Sequence, residues 1–167
     1  MKEINIIGFG LMGRQISALF YLLGYEIGVY NKSKLNIYEF EKQIKLLQRK
    51  IDFSNFNSGK INIYQHIEDL KNSLTIESLN EDLNLKKEII QILRDNNNIV
   101  FSNSSSLGMD DLNCDFIHFF NPIYIKLIEL CDKICKNLKE EDENFYHPKI
   151  FKKALEKGIL GRKIKQK

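Results

Sequence analysis

The stretch INIIGFGLMG, Ile4 to Gly13, decides the fold. Ile4 to Ile7 reads as a short buried strand, and Leu11 to Leu23 as a helix with Ile16, Leu19, Phe20 and Leu23 on one face. Gly24 closes that helix, as a glycine just past a helix end does. Between strand and helix, Gly8, Gly10 and Gly13 make G-x-G-x-x-G, and the context gives each glycine a task. Gly8 permits the tight turn, Gly10 leaves room for a pyrophosphate against the backbone, and Gly13 lets the helix lie close on the strand. The start of the helix then offers free N–H groups and the positive end of its dipole. Gly8, Phe9, Gly10, Leu11, Met12 and Gly13 are therefore assigned to dinucleotide binding. A ligand-free turn is the plain alternative, but turn chemistry alone rarely requires all three glycines.

Outward from this loop, short apolar runs alternate with longer amphipathic stretches. Strands are predicted at Glu26 to Tyr30, Ile61 to Tyr64, Ser73 to Glu77 and Ile99 to Phe101. Helices are predicted at Leu35 to Ile51, His66 to Leu70 (brief) and Leu83 to Leu93, with loops at Asp52 to Gly59 and Asp95 to Asn98. Strand and helix in alternation at this spacing mean a parallel sheet with right-handed crossovers. After a serine-rich loop, Ser102 to Ser106, come a short helix and apolar runs at Phe116 to Phe120 and Ile123 to Leu130. A last amphipathic helix spans Pro148 to Lys157. The expected fold is α/β: a Rossmann-type, doubly wound, mostly parallel sheet with a C-terminal helix packed back on it. Residues 1–130 form the dinucleotide-binding domain, and 131–167 a short connector and helical tail.

Composition narrows the function classes. With 43% hydrophobic residues, a chain of 167 is one domain's worth and too apolar for disorder. No run approaches the ~20 apolar residues of a membrane span. The N-terminus enters the first strand without a signal peptide's apolar region, so a cytoplasmic protein is expected. A net charge of +3 is too small to argue for nucleic acid. Cys114, Cys131 and Cys135 lack metal-ligand spacing and read as reduced thiols. At the end of the second strand, where an acidic residue usually holds the adenosine ribose, stands Asn31, followed by Lys32 and Lys34. NAD is the expected cofactor; NADP is not excluded, because an amide does not repel a 2′-phosphate.

A second set of motifs carries a resemblance. Ser102-Asn103-Ser104-Ser105-Ser106-Leu107 is followed by His118-Phe119-Phe120-Asn121-Pro122 and then by Lys126-Leu127-Ile128-Glu129. Together with IIGFGLMGRQIS and ESLNEDLNLK (Glu77 to Lys86), this resembles the 3-hydroxyacyl-CoA dehydrogenase family over residues 2–130. The tail from His147-Pro148 to Gly161-Arg162-Lys163 is similar to the family's last segment.

The resemblance implies roles for individual residues. His118 would be the acid/base at the 3-hydroxyl, a task that suits an imidazole titrating near neutrality. Glu129 would hold the other ring nitrogen, and Ser105 would bond the substrate oxygen or the nicotinamide region. Asn121 would lie near the nicotinamide, and Glu81, Lys86 and Lys163 would contact the cofactor. Plainer readings stand beside these: a satisfied core histidine, a polar loop after a strand, a solvated basic tail. His118 and Glu129 lie 11 positions apart (129 − 118), one fewer than expected for the family. In a strand, a one-residue change turns side chains to the other face unless a bulge absorbs it.

Members of the family place an all-helical domain between the Glu129 strand and the G-R-K tail. Here Glu129 and Lys163 are only 34 positions apart (163 − 129), so that domain is expected to be missing. Two functions follow. One is an NAD-dependent oxidoreductase acting on an acyl-CoA or another small 3-hydroxy substrate. The other is a catalytically degenerate NAD(H)-binding protein serving as a sensor or as a subunit of a larger assembly. Neither involves nucleic acid or a membrane, and homo- or hetero-oligomerisation stays open.

Overall fold

The computed structural model describes residues 3–51, 53, 57–123 and 129–130. Its elements are β1 (Glu3–Ile7), α1 (Leu11–Leu22), β2 (Glu26–Tyr30), α2 (Ile37–Gln48), β3 (Lys60–Tyr64) and a 3-10 turn (Ile67–Asp69). They continue through β4 (Leu74–Glu77), α3 (Leu83–Asp95), β5 (Ile99–Ser102), α4 (Met109–Leu112), β6 (Asp115–His118) and β7 (Glu129–Leu130). The C-terminal helix expected at Pro148 to Lys157 and the boundary at 130/131 lie outside the described residues.

The strands lie in the order β3-β2-β1-β4-β5-β6-β7. All neighbours from β3 to β6 pair in parallel, and β7 alone runs antiparallel, against β6. This is the doubly wound order, reversing between β1 and β4, and ligands of such sheets bind at the carboxyl ends of the strands flanking that reversal. The alternating side chains of the central strands separate two cores. Ile4, Ile6, Ile27, Val29, Ile76 and Phe101 pack with Ile16, Leu19 and Phe20 of α1 and Phe40 of α2. On the opposite face Ile7 and Val100 pack with Ile90 and Leu93 of α3, Leu112 and Cys114. Full burial of each such side chain stabilises by about 1.5–3 kcal/mol. Burial also pushes the Cys114 thiol up to about 11, which leaves it protonated and unreactive at neutral pH.

Helix α2 is shorter than its periodicity predicts because a cap sets its start: the Asn36 carboxamide oxygen accepts from the Glu39 N–H at 3.1 Å. The brief helix predicted at His66 to Leu70 is a single 3-10 turn. The crossover from β3 to β4 is too short for more. No helix among the described residues is long and apolar enough to cross a membrane.

Candidate active site

Gly8 and Gly13 carry out the turn and packing tasks that their spacing implies. Gly8 has φ +90°, and a Cβ there would lie 2.6 Å from the Ser78 carbonyl oxygen. A Cβ on Gly13 would lie 2.0 Å from the Gly8 carbonyl oxygen, so α1 can approach β1 only with glycine there. Gly10 differs: nothing lies within 4 Å of where its Cβ would be. The protein's own packing therefore does not demand a glycine at Gly10. Helix α1 begins there with no side-chain cap, whereas Asp82 caps α3 through the N–H groups of Asn84 and Leu85. The free N–H groups and open space at Gly10 suit a pyrophosphate.

Phe9 takes no place in this cleft through its side chain. The ring is buried against Phe40, with centroids 5.6 Å apart. Its N–H donates to the Asn31 carboxamide oxygen at 3.0 Å. The Asn31 amide nitrogen donates in turn to the Ser33 carbonyl and hydroxyl oxygens, both at 2.9 Å. Asn31 thus braces the glycine loop from the end of β2, while Lys32, Ser33 and Lys34 are exposed beside it.

A polar network joins the ends of β4 and β5 to the start of α3. Glu77 is fully buried, and Lys86, also buried, donates to it at 2.7 Å and to the Leu79 carbonyl at 3.1 Å. The second Glu77 oxygen accepts from the Ser102 hydroxyl at 2.7 Å. Ser102 Oγ then accepts from the Ser104 N–H at 3.2 Å. Above this strut, Glu81 accepts from the Ser104 hydroxyl, the Ser105 N–H (2.8 Å) and the Ser105 hydroxyl (3.3 Å). Desolvation works to raise the Glu81 pKa. The bonds from Ser104 and Ser105 and the charge of Lys86 outweigh it, and the net shift is downward. Of the residues expected to touch cofactor, Glu81 is therefore exposed and pinned to the serine loop. Lys86 lies beneath it, enclosed in an ion pair rather than facing the cleft.

The third wall comes from β6. His118 ends the strand half-buried, its ring edge-on to Phe120 at 4.7 Å between centroids. The Asn103 carboxamide oxygen accepts from the Phe119 N–H at 2.8 Å, tying the serine loop to this segment. Gln15 of α1, itself buried, accepts from the Ile123 N–H at 3.0 Å and donates to the Asn121 carboxamide oxygen at 3.1 Å. A backbone N–H can only donate, so both amides have one orientation, and the Asn121 N–H groups stay outside this bond. The strand pairing sets Glu129 directly opposite His118. Lys163 lies outside the described residues.

Sequence reasoning passed over Gln15, Glu77 and Asn103. Gln15 carried one signal: a polar residue on the apolar face of a helix, next to Ile16. Asn103 and Glu77 carried none, because an acid or amide ending a strand is common.

A doubly wound sheet with a glycine loop at its topological switch, and polar side chains gathered at the same strand ends, defines a dinucleotide-dependent dehydrogenase domain. Residues 3–136 match the family model "3-hydroxyacyl-CoA dehydrogenase, NAD binding domain", and the chain belongs to that family. It is 27% identical over 152 residues to the 3-hydroxybutyryl-CoA dehydrogenase of Clostridioides difficile, covering 77% of this chain and 53% of that protein. The chain thus spans about half the length of this curated relative. Among solved structures it is similar in fold to the (S)-3-hydroxybutyryl-CoA dehydrogenase PaaH1 from Ralstonia eutropha, with TM-score 0.69, 23% identity and coverage of 93% and 61%. FadB2 of M. tuberculosis is also similar, with TM-score 0.62, 24% identity and coverage of 78% and 53%.

Proposed function

We propose that this domain serves the NAD-dependent interconversion of a 3-hydroxyacyl-CoA and its 3-keto form. The observation that carries the reading is the pairing of His118 with Glu129 at the end of the sheet that holds the glycine loop. Gly10 and the start of α1 would receive the pyrophosphate. Bound NAD supplies the hydride acceptor at its nicotinamide ring. His118 takes the proton from the C3 hydroxyl in oxidation and returns it in reduction, acting as a general base and then a general acid. Glu129, from the facing strand, holds the imidazole in one tautomer and stabilises its charged form. Ser105, held through its backbone N–H by Glu81, turns its hydroxyl proton from Glu81 to the substrate oxygen. Asn121 offers N–H groups next to the nicotinamide, held by Gln15. Lys86 acts through Glu77 and Ser102 as a positioning residue.

The test is oxidation of NADH with acetoacetyl-CoA by the wild-type chain and by His118→Ala. Turnover lost in the variant, with NADH binding kept, supports the assignment. Saturable NADH binding by the wild type without turnover would replace it with the second reading, a binding subunit or sensor.

A further inference from the structure

We propose that the Ser33 hydroxyl at the end of β2, flanked by Lys32 and Lys34, receives the 2′-phosphate of NADP(H), so that this domain binds NADPH as well as NADH. In dinucleotide folds a carboxylate at this place accepts from the ribose hydroxyls and repels a 2′-phosphate. Here the position is Asn31, and its amide has only one orientation. The Phe9 N–H can only donate, so the atom 3.0 Å away is the carboxamide oxygen. The amide nitrogen is thereby turned to Ser33, where it donates to the carbonyl and hydroxyl oxygens, both at 2.9 Å. Ser33 Oγ already accepts this bond, which leaves its own proton free to donate outward, and Ser33 is exposed.

Charge around Ser33 has one sign. Lys32 and Lys34 flank Ser33 and are exposed, and no Asp or Glu occurs from Asn31 to Tyr38. The first carboxylate beyond, Glu39, is paired with Lys42 at 2.6 Å. Glu3 and Glu26 begin β1 and β2, and their carboxylates are engaged: Glu3 accepts from the Tyr64 hydroxyl and from Asn62, and Glu26 from Asn62. A phosphate dianion beside Asn31 would thus meet the Ser33 hydroxyl and the ammonium groups of Lys32 and Lys34.

This inference rests on the cofactor site proposed above, and binding alone tests it. The full chain is titrated with NADH and with NADPH, following the fluorescence of the reduced nicotinamide, and 2′,5′-ADP is compared with 5′-AMP as competitor. NADPH is expected to bind within about tenfold of NADH, and 2′,5′-ADP to compete at least as well as 5′-AMP. Asn31→Asp keeps an acceptor for the Phe9 N–H, gives up the bonds to Ser33 and adds one negative charge; it is expected to weaken NADPH by at least about tenfold more than it weakens NADH. The double variant Lys32→Glu with Lys34→Glu leaves the glycine-loop bond untouched and should discriminate in the same direction. Wild-type NADPH binding weaker than NADH by more than about tenfold overturns the proposal, as does an Asn31→Asp variant with unchanged NADPH affinity. Failure of both cofactors to bind would overturn the cofactor site itself, a result distinct from selective loss of NADPH.

Discussion

His118 and Glu129 are direct partners in the antiparallel pairing of β6 with β7. Residues paired in this way carry their Cβ atoms on one face, about 4.5–5.5 Å apart. The register thus pairs the two positions although only 11 positions (129 − 118) separate them in sequence. If the pair works as proposed, Glu129→Gln lowers kcat for acetoacetyl-CoA reduction by roughly 10²-fold with little change in KM. Steady-state kinetics at one pH decide this, and an unchanged kcat would remove Glu129 from the reaction.

Gly10 and Gly13 separate binding from folding. A Cβ at Gly10 meets nothing within 4 Å, and the backbone there is extended (φ −67°, ψ −163°), so Gly10→Ala should melt with the wild type. Its NADH affinity is expected to fall at least about tenfold, because the methyl occupies the pyrophosphate's approach. At Gly13 the added Cβ would lie 2.0 Å from the Gly8 carbonyl oxygen. Gly13→Ala should therefore destabilise the fold by about 1–3 kcal/mol through overpacking. Thermal melts with and without NADH distinguish the two.

Lys86 offers a similar contrast. Lys86→Met leaves the Glu77 carboxylate buried without its cation, and a loss of about 3–5 kcal/mol is expected. Combining it with Glu77→Gln should restore much of that loss, since no buried charge then remains. Urea unfolding of the two single variants and the double variant measures the coupling. A cofactor contact at Lys86 would instead weaken NADH binding and leave stability alone.

Glu81 predicts a pH dependence. Its folded pKa lies below the ordinary 4.5, so the unfolded chain binds the proton more tightly. The stability it contributes is present above that ordinary value and is lost as pH falls through the folded one. The melting-temperature difference between wild type and Glu81→Gln should be constant near neutrality and shrink below about pH 4.5. A difference that grows with acidity would contradict the bonds from Ser104 and Ser105.

Much of the fold was legible residue by residue. The order of strands and helices follows from hydrophobic periods, and the glycine loop from spacing, because both are local properties of the chain. Asn31 could be singled out at the end of β2, yet not the direction of its amide, which depends on Phe9 from another strand end. Lys86 was visible as a cation in a motif and invisible as the partner of Glu77, nine positions away and under the helix start. Gln15 joins Ile123 across 108 positions, and no local pattern predicts such a contact.

By itself, then, the sequence determined a doubly wound sheet with a dinucleotide loop, and a histidine, a serine and an asparagine after its later strands. The tertiary structure alone decided which polar groups face the cleft and which hold it up. Hydrogen-bond direction and the burial of charge are set by neighbours brought together only when the sheet closes. The same closure set β7 on β6 in the register that faces Glu129 with His118.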